Sequence, residues 1–140
     1  MGVDYGSKRI GIAVSDETKK YSFSRDYLLN DKNLFSRLMV LIKNEKIEKI
    51  IIGYPVNLKS EKTIQSVEVE EFSKKLSDHI KSNSLQIKII YEDERFTSKL
   101  AEHNIISSGL SRKKRQDKGL TDSISAQIIL QGFLDKTKIN

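Results

Sequence analysis

Three short acidic segments carry the side chains best suited to chemistry: Asp4 in Gly-Val-Asp-Tyr-Gly, the pair Asp93-Glu94 in Tyr-Glu-Asp-Glu-Arg, and Asp122 in Leu-Thr-Asp-Ser-Ile. Each sits where an apolar run stops or starts. Carboxylates at the ends of elements can converge on one point although they are far apart in sequence, and a cluster of hard oxygen ligands is how a nuclease holds Mg²⁺. Each acid also has a plainer reading. Asp4 lies between Val3 and Tyr5, inside a strand, where a lone carboxylate is costly unless a cation or hydrogen bonds compensate it; the alternative is that the pleat turns it to solvent. The run Glu92-Asp93-Glu94-Arg95 also reads as a solvated loop with a local salt bridge, and Asp122 as a helix-capping carboxylate. Taken in order, Asp4, Asp93, Glu94 and Asp122 form a candidate site for Mg²⁺ or Mn²⁺.

The apolar pattern supplies the elements that would position them. Residues 1–30 read as a three-strand meander, with turns at Gly6-Ser-Lys-Arg9 and at 15–20. Leu34, Phe35, Leu38, Leu41 and Ile42 fall at helical spacing over 33–45, and Val69, Phe72, Leu76 and Ile80 mark a second helix. The runs 49–53 and 85–91 are short, apolar and β-branched, and read as buried strands. A third helix is expected from Thr97 or Ser98 to Gly109, and a last one capped by Thr121 or Asp122, whose apolar residues cover more than one face. The order β-β-β-α-β-α-β-α-α implies one mixed α/β domain over 1–140, a meander leading into a partly parallel sheet.

Bulk properties narrow the class. The absence of cysteine among 140 residues excludes disulfides, thiolate zinc sites and cysteine nucleophiles, and no run approaches the roughly 20 apolar residues of a membrane span. No N-terminal segment resembles a signal peptide, so a cytoplasmic protein without membrane partners is the expectation. The net charge of +6 is moderate, and its distribution matters more than its size. Arg112, Lys113, Lys114, Arg115 and Lys118 crowd the loop before Asp122, either a solvated connection or a phosphate-binding surface. His79 and His103 lack metal-ligand spacing and read as surface residues; Tyr5, Tyr54, Tyr91 and Phe96 read as packing residues.

Four segments resemble the YqgF/RuvX family: Asp4-Tyr-Gly-Ser-Lys-Arg-Ile-Gly-Ile-Ala-Val-Ser-Asp16, Gly53-Tyr-Pro-Val-Asn57, Asp93-Glu-Arg-Phe-Thr97 followed by Ala101, and Asp122 leading into Ile128-Ile-Leu-Gln131. The resemblance spans essentially the whole chain. It implies an RNase H-like fold, a mixed five-stranded sheet with flanking helices, and a metal-dependent endonuclease acting on pre-16S rRNA or, as the alternative, on branched DNA as a Holliday junction resolvase. It implies Asp4, Glu94 (with Asp93 as alternative) and Asp122 as the catalytic carboxylates, and places Lys8 and Arg9 beside them for backbone contacts, with Arg95 either joining them or orienting Asp93. A catalytically silent nucleic-acid-binding module is the other reading, and the presence of all three acids argues against it. The chain departs from the family pattern in carrying only Met1-Gly2-Val3 before Asp4 and in replacing an aspartate-glycine turn by Lys59-Ser60.

Overall fold

Ile50, Ile51, Ile52 and Gly53 are buried in succession, which requires cover on both faces of the strand that holds them. The computed structural model, which describes residues 1–94, 111, 113 and 116–138, supplies that cover. Five strands, β1 (Gly2–Tyr5), β2 (Arg9–Ser15), β3 (Ser22–Leu29), β4 (Lys49–Tyr54) and β5 (Lys88–Asp93), form one sheet in the order β3-β2-β1-β4-β5. The meander β1-β2-β3 is antiparallel, while β1, β4 and β5 run parallel, as the alternation of strand and helix after residue 30 requires.

Helices α1 (Leu34–Asn44) and α2 (Ile64–Ser82) cover one face, packing Leu38, Ile42, Phe72 and Leu76 against Val3, Ile10, Ile12, Ile50 and Ile52. The last helix, α3 (Lys118–Lys138), covers the other, where Ala126, Ile129 and Leu130 meet Ala13 and Ile51. Alternation along β4 thus sends Ile50 and Ile52 to one core and Ile51 to the other. Burying each of these side chains contributes roughly 1.5–3 kcal/mol.

Three expectations need correction. The strand expected over 85–91 lies at Lys88–Asp93 and is the half-exposed edge of the sheet, where Ile89 and Ile90 are each only partly buried against the two cores. The last helix is not capped by Thr121 or Asp122: it begins at Lys118, where the Asp117 side chain accepts the Gly119 N–H at 2.8 Å. The ring of Tyr91, read as packing, lies 4.9 Å from that of Tyr54 yet is 44% exposed. His79 is exposed as expected and stacks on Phe35. The helix expected over 97–109, with Phe96 and His103, lies outside the described residues.

Candidate active site

Asp4 stands on the shortest strand, one residue before its end. Because β1, β4 and β5 run parallel, they finish at one edge of the sheet, the edge at which open α/β sheets bind ligands. Gly53 near the end of β4 faces α3: a side-chain carbon built there would meet Glu94 Oε2 at 2.4 Å and Ile129 Cδ1 at 2.5 Å. Glu94, the first residue past β5, therefore lays its carboxylate across the space a side chain on residue 53 would take. Successive residues point to opposite faces of a strand, so Asp93, which pairs with Tyr54 and is exposed, is aimed away from this point. Of the two neighbours, Glu94 is the one that lies beside Gly53 and Asp4.

Asp122 arrives from the other side. In the β1/β2 ladder Asp4 is the direct partner of Gly11, and Gly11 lies under the backbone of Asp122. An isolated glycine within a strand marks such a close approach, a signal the sequence carries in Ile10-Gly-Ile12. Gly2 serves α3 similarly one turn further on: a Cβ there would meet Ala126 O at 2.6 Å. Glycines on the strands thus let the helix settle close enough to bring its second acid-bearing turn to Asp4.

The electrostatics record this convergence. Burial pushes the Asp4 carboxyl well above the ordinary carboxylate range, and the charges of Glu94 and Asp122 push it further. Asp4 and Glu94 share a hydrogen bond that raises Asp4 further and opposes the rise that burial gives Glu94. Asp122 is likewise raised by burial, and held back by Arg9, whose Nε donates to Asp122 Oδ2 at 3.1 Å. All three acids and Arg9 are half-buried. Among the described residues no three acidic side chains already sit at the spacing of a closed metal cage, because Asp122 is held by Arg9 while Asp4 and Glu94 hold each other. Three carboxylates converging on one sheet edge repel one another, and the Arg9 guanidinium beside Asp122 is one way of offsetting that. A divalent cation is the other way, and an all-oxygen donor set suits Mg²⁺ or Mn²⁺.

Of the expected nucleic-acid contacts, Lys8 is exposed on the turn between β1 and β2, and Arg9 turns inward to Asp122. Lys113 is exposed; Arg95, Arg112, Lys114 and Arg115 lie outside the described residues. Beside Glu94, the segment after β4 is stiffened by Asn57, whose side chain accepts the N–H groups of Lys59 and Glu61, and by the Thr63/Ser66 capping box that opens α2. Ser60 there has φ +62°, the left-handed position for which glycine is the usual residue.

Comparison with known proteins agrees with this arrangement. Residues 1–136 match the family model described as RuvX: Holliday junction resolvase. A protein of Sulfurihydrogenibium sp. strain YO3AOP1, named "Putative pre-16S rRNA nuclease", is 43% identical over 136 residues, 97% of this chain and 89% of the relative. A Christiangramia forsetii protein of the same name is 38% identical over 134 residues, 96% of each chain. Among solved structures, Thermus thermophilus RuvC superposes with a TM-score of 0.50 over 98% of this chain and 95% of that one, at 9% identity, a likeness that concerns the fold alone. It agrees with the expected RNase H-like arrangement of a mixed five-stranded sheet with flanking helices.

Proposed function

We propose, from the premise that this chain belongs to the RuvX family, that it is a divalent-metal-dependent nuclease cutting phosphodiester bonds in structured nucleic acid, with the precursor of 16S rRNA as its substrate. The observation that carries the reading is the meeting of Asp4, Glu94 and Asp122, from three distant segments, at the edge where the parallel strands end. The names of the relatives support the choice of RNA.

Asp4, Glu94 and Asp122 would hold Mg²⁺ or Mn²⁺, which when bound lowers the pKa of an attacking water and stabilises the leaving oxygen. The protein's part is to fix the ligands. Gly53 leaves room for Glu94, Gly11 brings α3 against Asp4, and Arg9 opposes the rise that burial imposes on the Asp122 carboxyl. Arg9 and Lys8 lie where a phosphodiester backbone would cross the site, and the exposed Lys113 offers a further cation. No described helix is long and apolar enough to cross a membrane, and the nuclease names of the relatives favour the cytoplasm as the place of work.

The description of the family favours a second reading, cleavage of branched DNA. Incubating the protein with an RNA that spans the 5′ boundary of 16S rRNA, and with a four-way DNA junction, each with Mg²⁺ and with EDTA, separates the two. Cleavage of the RNA alone, lost with EDTA and in Asp4→Asn, supports the first reading. Cleavage of the junction alone transfers the assignment to DNA, and Mg²⁺-independent cutting rejects the carboxylate site.

A further inference from the structure

We propose that Tyr27 is a base-stacking residue whose ring receives an unpaired base of the nucleic acid beside the carboxylates; the proposal rests on the nuclease reading above. Two irregularities of the backbone converge on this side chain. The β2/β3 ladder pairs Ile12 with Arg25 and then Ile10 with Leu28, so that Asp26 and Tyr27 together oppose the single residue Gly11. Such a bulge breaks the alternation of faces and re-aims a side chain. Arg25, whose ladder partner Ile12 lies in the core under α1 and α2, reaches Glu45 at the end of α1, and Leu28 packs on that same core; Tyr27 is turned to the opposite face, toward α3.

There the second irregularity receives it. Gly119, the second residue of α3, is buried, and a side-chain carbon on it would stand 2.0 Å from Tyr27 Cε1. Glycine weakens a helix, and here its one evident service is to let the ring lie against the first turn. A ring seated this way for packing alone would be covered, but Tyr27 remains 37% exposed. It stands one helical turn before Asp122, with the exposed Lys118 adjoining Gly119 and Arg9 on Asp122. An open aromatic surface flanked by cations and next to a phosphodiester-cleaving cluster fits a nucleotide: the ring takes the base and the cations take the phosphates.

The test uses Tyr27→Leu, Tyr27→Phe and Tyr27→Trp in the full chain, with the RNA spanning the 5′ boundary of 16S rRNA and copies of it carrying abasic sites. Tyr27→Leu should raise KM about 10-fold, within the range for loss of one stacked base, and leave kcat within about twofold. Tyr27→Phe, which keeps the ring, should match the wild type. Because the natural chain has no tryptophan, Tyr27→Trp introduces a unique fluorophore. Its emission should be quenched when the RNA binds in EDTA, and one abasic position should abolish the quench. Equal KM for the Leu and wild-type proteins, or an emission unchanged on binding, overturns the proposal while leaving the nuclease reading intact. A wild-type protein that neither binds nor cuts either nucleic acid overturns both. Should Tyr27→Leu fail to fold, the Phe and Trp variants with the abasic series decide alone.

Discussion

Gly11 lies directly beneath the backbone carbonyl of Asp122, so close that a side-chain carbon on it would stand 2.0 Å from that oxygen. Gly11 is also the ladder partner of Asp4. One missing side chain therefore sets the separation of two acids that are more than a hundred residues apart in sequence. Gly53 performs the complementary service for Glu94, so the carboxylate cluster is framed by two glycines on the strands flanking β1.

The two glycines should fail differently when changed to alanine. At position 11 the obstacle is backbone, which cannot yield without moving α3, and Gly11→Ala should lower stability by roughly 1–3 kcal/mol or more. At position 53 the obstacles are the far ends of Glu94 and Ile129, which can swing aside. Gly53→Ala should keep its fold and lose about 10- to 100-fold in Mg²⁺ affinity, as disturbing a ligand's support does. Denaturant titration and calorimetric metal binding, run on both variants, check the contrast.

Stability should depend on pH in a direction fixed by the raised carboxyls. Asp4 and Glu94 bind protons more tightly in the folded protein than at their ordinary values of 3.8 and 4.5, so the folded state holds more protons than the unfolded one above those values. The stabilisation from protonation is complete at lower pH and is lost as pH rises through the folded values. In EDTA the melting temperature should therefore carry a falling contribution as pH rises above about 4.5, reduced in Asp4→Asn. Mg²⁺ binds the ionised carboxylates, so its affinity should rise with pH, with protons released on binding. Calorimetry in two buffers of different ionisation enthalpy measures the release; an affinity that does not change with pH across the acid range would contradict the raised carboxyls.

Much of the fold was legible because hydrophobic period is a local property. The helical stripe of Leu34, Leu38 and Ile42 and the uniform run Ile50-Ile51-Ile52 fix element type without knowledge of neighbours. The start of α3 was misplaced because Thr121 and Asp122 are good caps, and so is Asp117; only the helix's seat on Gly11 and Tyr27 selects the earlier one. For the site, residue type and position at element ends pointed to Asp4, the pair Asp93-Glu94, and Asp122. The alternation that separates Glu94 from Asp93 was hidden until the strand's register and end were known. Arg9 was expected to meet nucleic acid, and nothing in a turn's sequence tells that its guanidinium reaches across to Asp122.

Comparing neutral replacements of the two adjacent acids isolates that alternation. Glu94→Gln should abolish Mg²⁺-dependent cleavage, since Glu94 shares a hydrogen bond with Asp4, whereas Asp93→Asn, exposed and aimed to the other face, should retain activity within a fewfold. Both should keep wild-type circular dichroism. The reverse order of activities would place Asp93 at the metal.

Arg9 supplies the sharpest test of how the cluster is neutralised. Its guanidinium holds Asp122 at 3.1 Å and stands, in charge, where a divalent cation would otherwise help. If the metal and Arg9 compete for that carboxylate, Arg9→Gln should bind Mg²⁺ more tightly, by a fewfold, since a partly exposed ion pair contributes about 0.2–1 kcal/mol. The same variant should bind nucleic acid more weakly and flatten the slope of log affinity against log salt by about 0.7–0.9, the loss of one phosphate contact. Isothermal calorimetry with Mg²⁺ alone, and a salt series with the RNA in EDTA, read the two effects separately. Weaker Mg²⁺ binding in Arg9→Gln would show instead that Arg9 orients Asp122 for the metal, and an unchanged salt slope would place the phosphate contacts at Lys8 and the loop around Lys113.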